Sequence, residues 1–219
     1  MTKSVIIVAG GKGERMHSDI PKQFMEIGKI PILIRTISVF YNYEKTAKIV
    51  IVLPENQITF WKNLCQQHDF NIPHTIVSGG KERFFSVKNG LQHIDSELIA
   101  IHDGVRPLVS AQTIDKCFLA AAQFGAAIPV MKIEESIRFV DENKNHAVER
   151  KNFVTVQTPQ IFKSEIIKSA YNQSFEERFT DDASVVENTG QSIFLTEGNR
   201  ENIKITNFWD LKIAEAFLR

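Results

Sequence analysis

The stretch Val5-Ile6-Ile7-Val8-Ala9-Gly10-Gly11-Lys12-Gly13-Glu14-Arg15-Met16, followed by Pro21-Lys22-Gln23, decides how this chain folds. Its first four residues are all β-branched, which suits a strand buried on both faces inside a parallel sheet. The strand empties into glycines, Gly10, Gly11 and Gly13, that take positive φ without steric cost, so consecutive backbone N–H groups can turn toward an anion. Lys12, Arg15 and Lys22 supply countercharge. Arg15 can fork two hydrogen bonds onto phosphate oxygens, and Lys22 is a compact charge able to follow a moving group. The stretch reads as a triphosphate-handling loop, the bland alternative being a β-turn with exposed basic residues. A dinucleotide fingerprint fits poorly, because Met16 stands where the third glycine belongs and no acidic residue closes a second strand at the required distance. A P-loop is excluded, since neither Lys12 nor Lys22 has the required glycine spacing and following hydroxyl residue.

Outward from this stretch, apolar β-rich runs recur at 49–53, 74–77, 98–102 and 126–130, separated by helical patterns at 31–41, 55–68, 86–94 and 110–124. This alternation predicts βαβ crossovers and a doubly wound α/β fold, with a mostly parallel sheet and ligands bound beyond the carboxyl ends of its strands. After Val130 the pattern changes. Residues 133–156 alternate charged and apolar around Asp141-Glu142-Asn143-Lys144-Asn145, which predicts an extended β-hairpin arm suited to reaching a partner subunit. Helices are predicted again at 163–173 and 182–188, with a strand at 192–196 and a closing helix from Asn207. The whole chain, 1–219, is expected to form a single domain.

Lys plus Arg and Asp plus Glu number 26 each, so no global basic field attracts nucleic acid and any anion binding must be local. Cys65 and Cys117 lack metal-type spacing and read as buried thiols of a reducing compartment. No apolar run approaches a membrane span and no signal peptide precedes the first strand, which leads to the expectation of a cytoplasmic protein.

Further polar constellations fall at predicted strand ends. Gly79-Gly80-Lys81-Glu82-Arg83, with Ser86 opening a helix, forms a second glycine turn whose backbone could read a base, or a solvated turn with helix-start polar residues. Ile101-His102-Asp103-Gly104-Val105-Arg106-Pro107 places an acid and an arginine on the same edge. Asp103 is the best magnesium candidate, since that ion needs only one or two carboxylates beside substrate phosphates. Arg106 could hold a second phosphorylated substrate, or simply pair with an Asp that caps a turn. His102 reads as a packing residue. Thr158 lies in a polar loop, Thr180 or Asp181 could cap the helix that follows, and Lys204, flanked by Ile203 and Ile205, could face a cleft while they face the core.

With these residues in view, the chain resembles the 2-C-methyl-D-erythritol 4-phosphate cytidylyltransferase family of the non-mevalonate isoprenoid pathway. The resemblance is carried by Ala9-Gly10-Gly11-x-Gly13-x-Arg15-Met16, Pro21-Lys22-Gln23, Gly79-Gly80-x-Glu82-Arg83, His102-Asp103-x-x-Arg106-Pro107, Thr158-Pro159-Gln160, Thr180-Asp181-x-Ala183-Ser184 and Asn202-Ile203-Lys204, in that order. It implies a Rossmann-like nucleotidyltransferase fold and in-line transfer of CMP from CTP to a polyol phosphate, with Mg²⁺ and no covalent enzyme intermediate. By that resemblance Arg15 and Lys22 are catalytic, and Ala9, Gly10, Gly11, Gly13, Gly79, Gly80, Arg83 and Ser86 bind the nucleotide. Asp103, Arg106, Ser136, Thr158 and Lys204 take the acceptor or metal side, and Arg150 is lent across a homodimer interface. Lys81 replaces a usual acid, and Glu135-Ser136 replaces an Asp-Thr pair that touches the acceptor. A ribitol 5-phosphate cytidylyltransferase, which shares the nucleotide-side motifs, stands as the rival reading.

Overall fold

A computed structural model describes residues 1–11 and 20–218. Its strands are β1 (Lys3–Val8), β2 (Glu26–Ile27), β3 (Ile30–Pro31), β4 (Lys48–Leu53), β5 (Thr75–Ser78), β6 (Leu98–Asp103), β7 (Ala126–Lys132), β8 (Arg138–Asp141), β9 (Lys144–Ala147), β10 (Val154–Val156), β11 (Gln160–Lys163) and β12 (Phe194–Glu197). The α-helices are α1 (Ile32–Tyr43), α2 (Ile58–Gln67), α3 (Arg83–Leu91), α4 (Ala111–Phe124), α5 (Ser164–Ala170), α6 (Asp182–Glu187) and α7 (Phe208–Phe217). The main sheet runs β10-β7-β11-β6-β1-β4-β5, with β12 added to β7. Strands β6, β1, β4 and β5 are parallel, as the β-branched runs predict.

Side-chain alternation along the strands sorts the core into two layers. Val5, Ile7, Ile49, Ile51, Leu98 and Ala100 face one side, where Leu33, Ile37 and Phe40 of α1 and Ile114, Cys117 and Ala121 of α4 cover them. Ile6, Val50, Val52, Ile99 and Ile101 face the other, under Val87 and Leu91 of α3 and Val185 and Val186 of α6. Each fully buried isoleucine is worth about 2–3 kcal/mol of transfer free energy, so the strand through Ile6 and Ile7 anchors both layers.

Helix ends follow local chemistry. Ser110 caps α4 by accepting the Thr113 N–H at 3.1 Å, and Asn207 closes a capping box with Asp210 at the start of α7. The predicted cap of α6 is Asp181, whose carboxylate accepts the Ser184 N–H at 2.8 Å. Helix α3 begins at Arg83 rather than Ser86, because Glu82 takes the extended N-cap conformation.

Strands β10 and β11 depart from the simple alternation, since segments of three and four residues are too short to leave a periodic signal. Strand β11 lies antiparallel between β6 and β7. Between the pairs Val156↔Val130 and Ile161↔Ala127, residues 157–160 face only 128–129, so the returning strand carries two extra residues there, and all four are buried. The arm is present as expected: β8 and β9 pair antiparallel from Arg138↔Ala147 to Asp141↔Lys144, apart from the main sheet.

Candidate active site

Carboxyl ends of β1, β4, β5 and β6 meet at one edge, and backbone hydrogen bonds lace the loops that leave them. The Ala9 N–H donates to Val52 O at 2.9 Å, the Gly79 N–H to Leu53 O at 2.8 Å and the Gly104 N–H to Val8 O at 2.8 Å. A cleft of about 310 Å³ opens above this edge. Ala9, Gly10, Gly11, Lys22, Gly79, Gly80, Arg83, Ser86, Asp103 and Lys204, each expected at the site from sequence, all line it. Gly13 and Arg15 lie outside the described residues, so the structure speaks to neither.

Neither Gly10 nor Gly11 has positive φ, contrary to the expectation for a turned-in backbone. What Gly11 supplies is room: a side chain there would begin 3.0 Å from Cε of Lys22. At Gly80 the constraint is stronger, because a Cβ would fall 2.3 Å from that of Phe85. Ser86 sits within the first turns of α3, nearly buried, where its Oγ accepts the Gly80 N–H at 3.1 Å and donates to Glu82 O at 3.2 Å. It shapes the glycine turn instead of capping the helix.

Across the cleft, Asp103 gathers cations. Its Oδ2 lies 3.1 Å from both Arg106 Nε and Lys204 Nζ, and its Oδ1 lies 4.0 Å from Arg83 Nε. Burial alone would raise the Asp103 pKa, but Lys204, Arg83 and Arg106 outweigh it and hold the carboxyl well below its ordinary range. Asp103 is therefore ionised. Arg106 is fixed further by donating to Asn202 O at 2.8 Å, and it stands beside Asp103 without itself lining the cleft. The alternation argument for Lys204 holds: Ile205 is fully buried while Lys204 reaches the cleft.

Behind Asp103 the polar groups are closed on one another. Since the Arg106 carbonyl can only accept, His102 Nε2 donates to it at 3.0 Å, leaving Nδ1 to accept the Thr158 hydroxyl at 3.0 Å. Burial lowers the His102 pKa to about 4, so the ring is neutral, as this arrangement requires. Thr158 Oγ1 in turn accepts the Asp103 N–H at 3.1 Å. Its hydroxyl is thus engaged on two sides, and Thr158 supports Asp103 from behind rather than lining the cleft.

Ser136 and Arg150 are not brought to this cleft. Both are exposed on the arm, where the Arg150 guanidinium donates to the Glu134 carbonyl. Sequence reasoning gave no role to Gln23, Tyr171 or Asp182. Gln23 Nε2 ties Ala9 O at 2.9 Å to Gln57 Oε1 at 2.5 Å, bracing the first loop against the segment after β4. Asp182 receives a two-pronged ion pair from Arg83 and the Tyr171 hydroxyl. Their signals were the Pro-Lys-Gln triplet and the doubled aspartate, both visible but equally explained by turn and cap.

A mixed α/β sheet whose carboxyl edge carries two glycine turns opposite a cationic wall defines a nucleotidyltransferase fold. The model of the 2-C-methyl-D-erythritol 4-phosphate cytidylyltransferase family matches residues 3–219. The enzyme of that name from Bacteroides fragilis is 49% identical over 219 residues, covering 100% of both chains, and that from Porphyromonas gingivalis is 48% identical over 215 residues, covering 97% of this chain and 96% of the other. The crystal structure of the Thermus thermophilus cytidylyltransferase superposes with a TM-score of 0.81 at 28% identity, covering 99% of this chain and 98% of that one. The chain belongs to the 2-C-methyl-D-erythritol 4-phosphate cytidylyltransferase family.

Proposed function

We propose that this protein transfers CMP from CTP to 2-C-methyl-D-erythritol 4-phosphate, releasing pyrophosphate. The observation that carries this reading is the cleft itself: glycine turns at 10–11 and 79–80 face Lys22, Arg83 and Lys204 around an ionised Asp103. A phosphate oxygen of the acceptor attacks the α-phosphorus of CTP in line. The bond to pyrophosphate breaks, and the transient extra negative charge is the main thing a protein can stabilise. Backbone of the glycine turns holds the nucleotide, with Ser86 fixing the turn at Gly80. Lys22 meets the reacting phosphates, and Arg15 joins it by family resemblance. Lys204 holds the acceptor phosphate beside Asp103, which Arg106 steadies from behind, positioning it against CTP.

Asp103 fits Mg²⁺ that arrives on the triphosphate. No group of three or more His, Cys, Asp or Glu that could hold an ion occurs among the described residues, but one ionised carboxylate plus substrate phosphates suffices. Asp103 would hold such an ion, whose chemistry there would be to neutralise phosphate oxygens and favour departure of pyrophosphate. We assign Arg150 and Ser136 to the neighbouring cleft of a homodimer, a reading supported by the exposed apolar residues Phe139, Val140 and Phe153 on and beside the arm. No helix is long and apolar enough to cross a membrane among the described residues, and a small phosphorylated acceptor suits a cytoplasmic site. The ribitol 5-phosphate reading is not favoured, since the family model spans nearly the whole chain.

Pyrophosphate release with CTP and Mg²⁺ tests the reading, with methylerythritol 4-phosphate and ribitol 5-phosphate offered in parallel. Turnover with the first alone is expected. Turnover with ribitol phosphate alone would overturn the acceptor while leaving the nucleotide assignment in place.

A further inference from the structure

Asp182 is fully buried on the first turn of α6, a charge the transfer reaction does not itself use. Its Oδ1 accepts from Arg83 at 2.9 Å and from the Tyr171 hydroxyl at 2.6 Å, and its Oδ2 accepts from Arg83 at 2.6 Å. A buried carboxylate is costly unless paired and hydrogen-bonded, and here both its oxygens are. The far side of the same guanidinium faces Asp103, where Nε stops 4.0 Å from Oδ1. Arg83 therefore stands between two carboxylates, with its fork committed to the one behind the cleft, which leaves the nucleotide to the backbone of the glycine turns.

We propose that Asp182 is a positioning residue for acceptor binding: it holds the Arg83 fork away from Asp103, so that Asp103 stays matched to Arg106 and Lys204. A guanidinium fork matches a carboxylate two-pronged, and without Asp182 the nearest carboxylate to receive it is Asp103. Arg106 is tied to Asn202 and resists displacement, whereas Lys204 is 44% exposed on a flexible stem and gives way. The position of the Lys204 ammonium, and with it the acceptor phosphate, depends on a carboxylate that touches neither. Tyr171 contributes one hydrogen bond to Asp182 and stacks on Phe84 at 4.7 Å, so it supports packing without setting the fork.

This inference rests on the proposed transfer reaction, so turnover of the unaltered protein with CTP and methylerythritol 4-phosphate is measured first; its failure strikes the reaction and not the role of Asp182 alone. In variants shown folded by circular dichroism and melting, Asp182→Asn is expected to raise the acceptor KM about tenfold or more, with the CTP KM changed less than about threefold. Tyr171→Phe, which disturbs the same buried carboxylate but leaves the fork paired, is expected to stay within about twofold in both. In an Arg83→Gln background, adding Asp182→Asn is expected to change the acceptor KM by less than about twofold, because the two act as one unit. If Asp182→Asn does not fold, Asp182→Glu decides, with the same split at smaller size. Equal shifts in both KM values, an unchanged acceptor KM in a folded variant, or multiplying effects in the double variant would overturn the proposal.

Discussion

Cε of Lys22 lies 3.0 Å from the point where a side chain on Gly11 would begin, so the lysine rests against the glycine backbone across the loop. Gly11→Ala pushes the ammonium aside, and a fall in kcat of about tenfold is expected with the fold intact. Lys22→Ala removes the charge altogether and is expected to lower kcat by about 10²-fold or more, with far less loss of CTP affinity. Steady-state kinetics beside CTP titration distinguishes this from a binding role, which would weaken both alike.

Asp103 carries the charge balance of the cleft wall, and its folded pKa lies below the unfolded value of about 3.9. The stability it contributes is fully present above that value and is lost as pH falls through the acid range toward the folded pKa. Asp103→Asn leaves Arg83, Arg106 and Lys204 without their shared carboxylate, and we expect destabilisation of about 3 kcal/mol near neutrality. Denaturant unfolding at several pH values should also show a shallower acid slope for the variant below about pH 4.

His102 titrates in a different window. Its folded pKa of about 4 lies below the unfolded value of about 6.5, so the unfolded chain binds a proton in that interval and the native one does not. Stability from the neutral ring is complete above about pH 6.5 and declines as pH falls toward 4, by up to about 3 kcal/mol. His102→Gln is expected to flatten that decline, as read from unfolding free energies between these pH values.

Ser86 joins the glycine turn to α3 through one hydrogen bond from Gly80. Ser86→Ala should cost about 1 kcal/mol of stability and raise the CTP KM several-fold, leaving the acceptor KM near its original value. A change confined to the acceptor would place the turn on the wrong substrate.

Arg150 offers a test of the proposed sharing of a site between two copies of the chain. Arg150→Ala should weaken acceptor binding and spare CTP, and mixing it with the Lys22→Ala variant should restore activity, because in a mixed dimer one cleft receives both intact groups. Mixtures no more active than their components would show that the arm does not reach a neighbour.

Residues whose chemistry is local were legible before any coordinates. The β-branched run at Val5, the glycine turns, and Asp103 beside Arg106 announced a parallel sheet with a polar cleft on its edge. Lys204 was readable from alternation alone. Relationships that depend on distant segments were not. Nothing local in Thr158 shows that its hydroxyl is taken by His102 and Asp103, and nothing in the Asp181-Asp182 pair shows that one caps a helix while the other reaches Arg83. Strand β11 was missed for the same reason: its partners β6 and β7 precede it by tens of residues, and four residues give too short a period to read.

The place of β11 in the sheet also bears on synthesis. Until Gln160–Lys163 leaves the ribosome, β6 has β1 on one side and open hydrogen-bonding groups on the other, along the apolar run Leu98-Ile99-Ala100-Ile101. An uncovered apolar edge in a nascent chain invites pairing with other chains. The middle of the finished sheet is thus closed only after both flanking strands and the arm have been made, with β12 still to add at β7, and the β6 edge stays open to other chains while the arm is being made.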